Sequence, residues 1–234
     1  MNVLGVIPAR GGSKAIPTKN LAPLCGRPLL AYTGDAVNES KKLTRTIVST
    51  DDERIAECAR SLGLEVPFIR PSTLAGDDAP MLPVLQHAIR VMREHGFESD
   101  IVVLLQPTSP LRTADDIDAA IDRLQRVRGD SVVSVVEVPH QFNPVSVMRV
   151  DEGLLKPFLE ASAPTRRQDK PRLYARNGPA VLAVQARVVE DGSLYGNQSW
   201  PLIMTPEESL DIDTLWDLRL AESVLAARSN ANSL

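Results

Sequence analysis

The feature that most constrains the fold is a regular alternation of strand-like and helix-like segments along the whole chain. The segment at residues 101–105 reads IVVLL and contains no polar residue. An uninterrupted apolar run of this length is typical of a central parallel strand that helices cover on both faces. Repetition of the strand–loop–helix unit predicts an α/β fold: a mostly parallel sheet with helices on both faces.

The same patterns place the other elements. Further strands are predicted at residues 2–8, 44–49, 65–69, 179–185 and 201–204. Helices are predicted at 28–39, 52–62, 81–95 and 213–227, with one more that Thr113 would cap. Residues 139–176 interrupt the alternation with five prolines and the basic stretch RRQDKPR. We therefore expect one domain, 1–234, in which 139–176 form an inserted arm, because an irregular segment of this length is usually functional.

The charge balance limits the classes of partner. A formal net charge of -4 argues against a general binder of nucleic acid or of membrane surfaces. No apolar run is long enough to cross a bilayer, and the N-terminus has no signal-peptide pattern. Cys25 and Cys58 lack the spacing of a metal or redox site. We expect a cytoplasmic protein whose basic residues act locally.

A glycine-rich loop follows the first strand, in IPARGGSKAIPTKN at residues 7–20. Gly11 and Gly12 would let the backbone turn and direct amide hydrogens at an anion, and Arg10, Lys14 and Lys19 add positive charge. An open α/β sheet binds its ligand outside the carboxyl ends of its strands, where this loop lies. Neither the Walker pattern nor the dinucleotide fingerprint is present. The residues alone leave two interpretations open, a phosphate site or a polar turn after a strand.

Five ordered blocks resemble the acylneuraminate (CMP-sialic acid) cytidylyltransferase family. They are IPARGGSKAIPTKNLAPLCGRPLLAYT, IVSTDDERIAECARSLGLEV with RPSTLAGDDAP, LLQPTSPLRTADDI, RRQDKPRLYARNG and SLDIDTLWDLRLAE. The resemblance covers nearly the whole chain and implies a Rossmann-like nucleotidyltransferase fold. It also implies transfer of CMP from CTP to an anionic acceptor, most plausibly a nonulosonic (sialic-type) sugar acid, with release of pyrophosphate.

The resemblance implies a role for each matching residue. CTP would be bound by Ala9, Arg10, Gly11, Gly12, Ser13, Lys14, Lys19, Asn20, Arg70 and Ala79. The acceptor would be bound by Gln106, Arg167 and Asn177. Catalysis would rest on Arg10, Lys19 and Asp211, which would position the triphosphate and stabilise the charge that develops on pyrophosphate. No protein nucleophile is required, because the acceptor's own hydroxyl would attack the α-phosphorus.

The sequence DID at 211–213 is the candidate metal site. In an extended segment, side chains two residues apart point the same way, so Asp211 and Asp213 could share one Mg²⁺ with phosphate oxygens and water. Alternatively, Asp213 only caps a helix that begins at Thr214, and Asp211 is a solvated turn residue. The resemblance favours the Mg²⁺ site.

The acceptor side departs from the family pattern. Pro80–Met81–Leu82–Pro83 follows Ala79 where relatives commonly have small hydroxyl residues, and GPAVLAV lacks an aromatic residue. Two alternatives therefore stay open: CMP transfer to a small phosphonate or other non-sugar acid, and a catalytically inactive CTP-binding regulatory subunit. In this family the inserted arm also builds a homodimer, in which the arm of one subunit reaches over the neighbour's site. We expect the same of residues 139–176 here.

Overall fold

The computed structural model describes residues 1–13, 15–76, 78–159 and 166–231. The strands are β1 (Val3–Pro8), β2 (Pro23–Leu24), β3 (Arg27–Pro28), β4 (Arg45–Ser49), β5 (Ile101–Leu104), β6 (Ser131–Glu137), β7 (Met148–Asp151), β8 (Leu154–Pro157), β9 (Tyr174–Arg176), β10 (Leu182–Gln185) and β11 (Ser199–Met204). The α-helices are α1 (Leu29–Glu39), α2 (Glu53–Ser61), α3 (Met81–Glu94), α4 (Ala114–Val127), α5 (Ala186–Glu190) and α6 (Leu215–Ala231).

The central sheet has the strand order β11–β6–β10–β5–β1–β4, and β9 pairs with the C-terminal end of β6. Strand β1 runs parallel to β4 and β5, and β11 runs parallel to β6, whereas β10 is antiparallel to both of its neighbours. One apolar layer packs α1, α2 and α4 on one face of the sheet, and a second packs α3 and α5 on the other. The prediction of a mostly parallel sheet covered on both faces is confirmed.

Strand β6 shows where the apolar pattern failed as a guide. Its sequence, SVVSVVE, is not among the predicted strands, and two serines interrupt its apolar run. Both serines are buried with hydrogen-bonded hydroxyls: Ser131 donates to the Tyr195 carbonyl oxygen at 2.7 Å, and Ser134 donates to Asn177 at 2.5 Å. A buried hydroxyl with such a partner is compatible with a central strand. The predicted strand at 65–69 is reduced to two isolated bridges.

The ends of two helices follow from their caps. Thr113 caps α4 in a capping box with Asp116, as expected. Helix α6 begins at Leu215 rather than at residue 213, because Asp217 accepts hydrogen bonds from the backbone amide and the hydroxyl of Thr214. Thr214 therefore provides the cap, and the alternative that Asp213 caps this helix is wrong. Within the described ranges, no helix is long and apolar enough to cross a membrane.

Candidate active site

A cleft of about 250 Å³ opens at the carboxyl ends of β1 and β5. The predicted residues that line it are Arg10, Gly12, Ser13, Lys19, Asn20, Arg70, Ala79, Gln106, Asp211 and Asp213. Residues from four of the five sequence blocks thus meet in one place. Parallel strands explain this convergence, since the loops that follow adjacent parallel strands emerge at the same edge of the sheet. Ala9 is buried next to this loop, and Lys14 lies outside the described residues.

The glycine-rich loop is fixed to the loop that follows β4. The Gly11 amide donates to Asp51 Oδ1 at 3.0 Å, so this N–H is engaged within the protein and does not face the cleft. A Cβ atom on Gly11 would lie 2.7 Å from Asp52 Oδ2, whereas one on Gly12 would meet no atom within 4 Å. Gly11 is therefore needed for close packing against Asp52. The expectation that its amide binds an anion does not fit this geometry, because the amide hydrogen is already donated to Asp51.

Lys19 connects the first loop of the chain to the DID segment. Its Nζ donates to the Ile212 carbonyl oxygen at 2.8 Å and to Asp213 Oδ1 at 3.0 Å. The Lys19 side chain is mostly buried, while that of Asp213 is exposed. The neighbouring Asn20 is buried and donates from Nδ2 to the Arg10 carbonyl oxygen at 2.9 Å. These contacts hold a positive charge between the glycine-rich loop and the two carboxylates.

Asp211 has the electrostatics of a group that is ready to bind a cation. Its Oδ1 is inaccessible to solvent and has no hydrogen-bond partner among the described residues. Burial raises the pKa of this carboxyl, and the charge of Asp213 acts in the same direction, while a hydrogen bond from Thr108 opposes both. An unpartnered buried oxygen is costly, and a divalent cation would remove that cost. The residues present therefore fit a cation held by Asp211 and Asp213.

The DID carboxylates do not make a complete metal centre by themselves. In the part of the chain that the structure describes, no group of three His, Cys, Asp or Glu side chains is arranged to hold a metal ion. Asp217, the next acidic residue, has its Oδ2 committed to the cap of α6. The remaining ligands of a cation would have to be substrate oxygens and water, which is usual for Mg²⁺.

The opposite wall of the cleft contains two arginines. Arg70 is buried, its Nη2 lies 3.6 Å from Asp51 Oδ1, and its Nε has no partner within the described ranges. Burial lowers the pKa of Arg70, and the charge of Asp51 opposes this effect. Arg10 donates from Nη1 to the Gly76 carbonyl oxygen at 2.9 Å. Met81, the first residue of α3, adds an apolar surface at the departure from the family pattern.

The end of β5 contacts the turn before β10. Gln106 lines the cleft and donates from Nε2 to the Gly178 carbonyl oxygen at 2.9 Å. Gly178 has φ of +122°, and a Cβ there would lie 3.7 Å from Asp211 Oδ2. A glycine is therefore suited to this turn by its backbone conformation, and the carboxylate of Asp211 lies beside the turn at ordinary contact distance.

Asn177 and Arg167 were the other predicted acceptor residues. Asn177 is buried outside the cleft lining, where its Oδ1 accepts from Ser134 and its Nδ2 donates to Ser209 Oγ at 2.9 Å. Its side chain is thus used to hold the turn and has no free group for a ligand. The side chain of Arg167 lies outside the described part of the structure.

The sequence matches the cytidylyltransferase family over residues 4–191. The chain belongs to the cytidylyltransferase family. It is 35% identical to the CMP-N,N'-diacetyllegionaminic acid synthase of Legionella pneumophila, over 99% of each chain. It is 31% identical to the N-acylneuraminate cytidylyltransferase of Escherichia coli O18:K1:H7, over 95% of this chain and 52% of that protein. The resemblance to acylneuraminate-type enzymes is confirmed.

The solved structures agree on the fold of this cytidylyltransferase. A CMP:2-keto-3-deoxy-manno-octonic acid synthetase complexed with CTP superposes with a TM-score of 0.71 at 17% identity, over 97% of this chain and 100% of that one. Among the relatives compared by sequence, a pseudaminic acid cytidylyltransferase of Campylobacter jejuni is 28% identical over 95% of both chains. At 17% identity the structural likeness concerns the fold alone.

The sequence did not predict a role for Asp51 in this cytidylyltransferase site, whereas the family resemblance implied that Thr108 shapes the loop after Gln106. Asp51 holds Gly11 and lies near Arg70, and Thr108 provides the carbonyl oxygen that accepts from the Ile212 amide at 2.8 Å. A signal for Asp51 was available, since it directly follows a predicted parallel strand at the ligand-binding edge of the sheet. The contact of Thr108 with a segment about a hundred residues away has no local signature.

Proposed function

We propose that this cytidylyltransferase transfers CMP from CTP to a hydroxyl group of a nonulosonic acid and releases pyrophosphate. The observation that carries the proposal is the convergence of Arg10, Lys19 and Arg70 with the unpartnered Oδ1 of Asp211 in one cleft. Such a site suits a highly charged nucleotide. The names of the relatives, a CMP-N,N'-diacetyllegionaminic acid synthase, an N-acylneuraminate cytidylyltransferase and a pseudaminic acid cytidylyltransferase, support the choice of acceptor.

The donor side supplies positive charge and backbone groups. Arg10, Lys19 and, by its position in the sequence, Lys14 would face the triphosphate, with Gly12 and Ser13 beside them. Arg70, whose buried Nε has no partner among the described residues, and the backbone near Ala79 would contact the cytidine half. In transfer of a phosphoryl or nucleotidyl group, catalysis is mainly positioning and stabilisation of charge on the leaving phosphates. Asn20 would act indirectly, because it fixes the carbonyl of Arg10.

Asp211 and Asp213 would hold Mg²⁺, and the unpartnered Asp211 Oδ1 supports this assignment. When bound, the cation would neutralise charge on the phosphate oxygens. Lys19 would keep Asp213 in place through its ion pair of 3.0 Å. The same contact places the Lys19 charge at the boundary between the carboxylates and the glycine-rich loop.

The acceptor would enter beside Gln106, whose side chain is fixed on Gly178. Arg167 is the proposed partner of the acceptor carboxylate, since a guanidinium binds a carboxylate through two hydrogen bonds. Asn177 would support this wall from behind, as its hydrogen bonds to Ser134 and Ser209 indicate. We also propose a cytoplasmic localisation, because the reaction consumes CTP.

Direct attack by the acceptor's hydroxyl on the α-phosphorus is the simplest reaction for this cleft. Neither Cys25 nor Cys58 is among the residues that line the cleft, and burial raises the pKa of the Cys58 thiol. A thiol that is harder to ionise is a poor nucleophile at neutral pH. The bond that forms joins the acceptor oxygen to the α-phosphorus, the bond that breaks joins the α-phosphorus to the oxygen that bridges to the β-phosphorus, and the hydroxyl proton passes to a phosphate oxygen of the substrate, so that pyrophosphate is released.

Pyrophosphate release from CTP and Mg²⁺ across a panel of acceptors tests the proposed function. The panel contains N,N'-diacetyllegionaminate, pseudaminate, N-acetylneuraminate, 2-keto-3-deoxy-manno-octonate and a small phosphonate. We expect release with at least one nonulosonic acid. Release with the phosphonate alone would contradict the sugar-acid assignment. Tight CTP binding without release for any acceptor would instead favour the inactive regulatory subunit.

A homodimer is part of the proposal, and the β7–β8 hairpin in the 139–176 arm supports it. The hairpin register puts Met148, Val150, Leu155 and Pro157 on one face, while Arg149 and Lys156 lie on the other. Val150 is 73% exposed and Leu155 is 68% exposed. An isolated two-stranded hairpin is marginally stable, and an apolar face of this kind is typical of an interface.

The oligomeric state can be measured by light scattering after size-exclusion chromatography. We expect a dimer for the native chain and a monomer for Leu155→Glu, which places a charge on the apolar face. Arg149→Glu, on the opposite face of the same hairpin, is the matched control and should stay dimeric. A native monomer, or a dimer that survives Leu155→Glu, would contradict the proposed interface.

A further inference from the structure

Arg112 is a buried cation whose contacts differ from those of a usual ion pair. It lies in the loop between β5 and α4 and is 3% exposed. Its hydrogen bonds go to two backbone carbonyl oxygens and to the hydroxyl of Thr33, while Nε has no partner within the described ranges. Burial lowers the pKa of Arg112 to about 10, so the guanidinium stays charged at neutral pH. Burying a charge is unfavourable unless hydrogen bonds or an opposite charge compensate for the lost hydration.

The two carbonyl groups that Arg112 binds stand opposite each other at the end of the β5–β10 ladder. That antiparallel ladder pairs Leu104 with Leu182, and the same register continued by two residues places Gln106 opposite Ala180. Arg112 Nη1 lies 3.1 Å from the carbonyl oxygen of each of these two residues. One charged nitrogen thus binds both carbonyls at the position where the ladder ends and the cleft begins.

Both segments held by Arg112 continue directly into the site. The side chain of Gln106 reaches across to the Gly178 carbonyl oxygen, on the proposed acceptor side. Further along the same loop, the Thr108 carbonyl oxygen accepts from the amide of Ile212, the residue next to Asp211, at 2.8 Å. The loop of residues 106–109 therefore joins the acceptor side of the cleft to the DID carboxylates.

We propose that Arg112 is a positioning residue that holds the Gln106 loop against the Gly178 turn and thereby sets the acceptor geometry and the place of Asp211. This inference rests on the proposed function for its kinetic consequences. Arg112 does not line the cleft, so it acts through the residues that it binds. The hydrogen bonds of Arg112 go to Gln106, Ala180 and Thr33, so we expect the donor wall, which contains Arg10 and Arg70, to be unaffected.

Arg112→Met and Arg112→Lys test the proposal, and Thr33→Val is the matched control. The control removes the hydroxyl partner of Nη2 but leaves both carbonyl contacts of Nη1 in place. For Arg112→Met we expect unchanged CTP affinity by calorimetry in the absence of Mg²⁺ and a kcat/KM for the acceptor about 100-fold lower, the scale expected for a small misplacement of reacting groups. The kcat/KM of Arg112→Lys for the acceptor should lie between those of the native enzyme and Arg112→Met, because an ammonium keeps the charge but lacks the planar fork of a guanidinium. Thr33→Val should lose thermal stability and keep its kinetics.

Hydrogen exchange separates this inference from the proposed function, because it needs no acceptor. The amides of residues 106–109 and 180–182 should exchange faster in Arg112→Met than in Thr33→Val. Equal exchange in the two variants, or equal loss of CTP affinity and acceptor turnover in Arg112→Met, would overturn the positioning role. If Arg112→Met does not fold, Arg112→Lys decides: slower acceptor turnover with native CTP affinity supports the role, and native kinetics with native exchange overturns it.

Discussion

Replacement of Asp211 by Asn should make the free protein more stable and the enzyme much less active. The carboxyl is partly buried, its Oδ1 has no partner among the described residues, and burial raises its pKa above the usual value of 3.8. The folded state therefore binds a proton more tightly than the unfolded state does. The resulting penalty is absent below the unfolded pKa and complete above the folded pKa, so at neutral pH the ionised group destabilises the fold.

The size of the effect follows from the cost of burying a charge. Asparagine keeps a polar side chain at this partly buried position but carries no charge, so only the desolvation cost of the charge is removed, and we expect a gain of about 1 kcal/mol for Asp211→Asn. For a chain of this length that gain corresponds to a rise of about 3 °C in Tm. Loss of one cation ligand should reduce kcat about 100-fold or more, since a bound cation contributes several kcal/mol of charge stabilisation.

Differential scanning calorimetry of the metal-free protein measures the first effect, and pyrophosphate release measures the second. The Tm gain of Asp211→Asn should be present at pH 7.5 and shrink as the pH is lowered towards 4. Asp217→Asn is the control. Although burial acts to raise the pKa of Asp217, hydrogen bonds from Thr214 hold it below its usual value, so this control should lose stability and keep its activity. A lower Tm for Asp211→Asn, or native turnover with unchanged Mg²⁺ dependence, would refute the reasoning.

Substitutions at three further positions test other contacts of the site. Lys19→Met removes the bridge to Asp213 and a charge near the triphosphate, so kcat/KM for CTP should fall about 100-fold in steady-state assays; a loss below threefold would contradict its role. Asp51→Ala frees the Gly11 amide and should raise the KM for CTP, whereas Asp51→Asn keeps an acceptor oxygen and should have the smaller effect; the reverse order would be inconsistent with this contact. Asn177→Leu breaks a buried polar network and should cost about 2–3 kcal/mol in urea unfolding; a neutral result would mean that the network contributes nothing.

The parts of the fold that the sequence predicted correctly are those where burial leaves a local pattern. Strand β5 is wholly apolar because helices cover both of its faces, and α4 has a capping box before an apolar stripe. Strand β6 was not predicted, because its buried serines are satisfied by Tyr195 and Asn177, which lie more than 40 residues away. A pattern that depends on such distant partners cannot be recognised within a local window.

The candidate site could be predicted to the extent that it follows from topology. Loops after adjacent parallel strands must meet, so the approach of the glycine-rich loop to the cleft was foreseeable. The direction of individual groups was not. The Gly11 amide donates to Asp51, and the Asn177 side chain is buried and donates to Ser209. Both partners are distant in sequence. The orientation of a polar side chain depends on such partners rather than on its own sequence neighbours.

Transfer of an isotopic label most directly tests the central claim that the acceptor's own hydroxyl attacks the α-phosphorus of CTP. A nonulosonic acid labelled with ¹⁸O at its reacting hydroxyl is incubated with CTP, Mg²⁺ and the native enzyme, and the products are analysed by mass spectrometry. The account predicts that the label is retained in the CMP-linked acid and that the pyrophosphate is unlabelled. An unlabelled CMP-linked acid, or no CMP-linked acid at all, would contradict it.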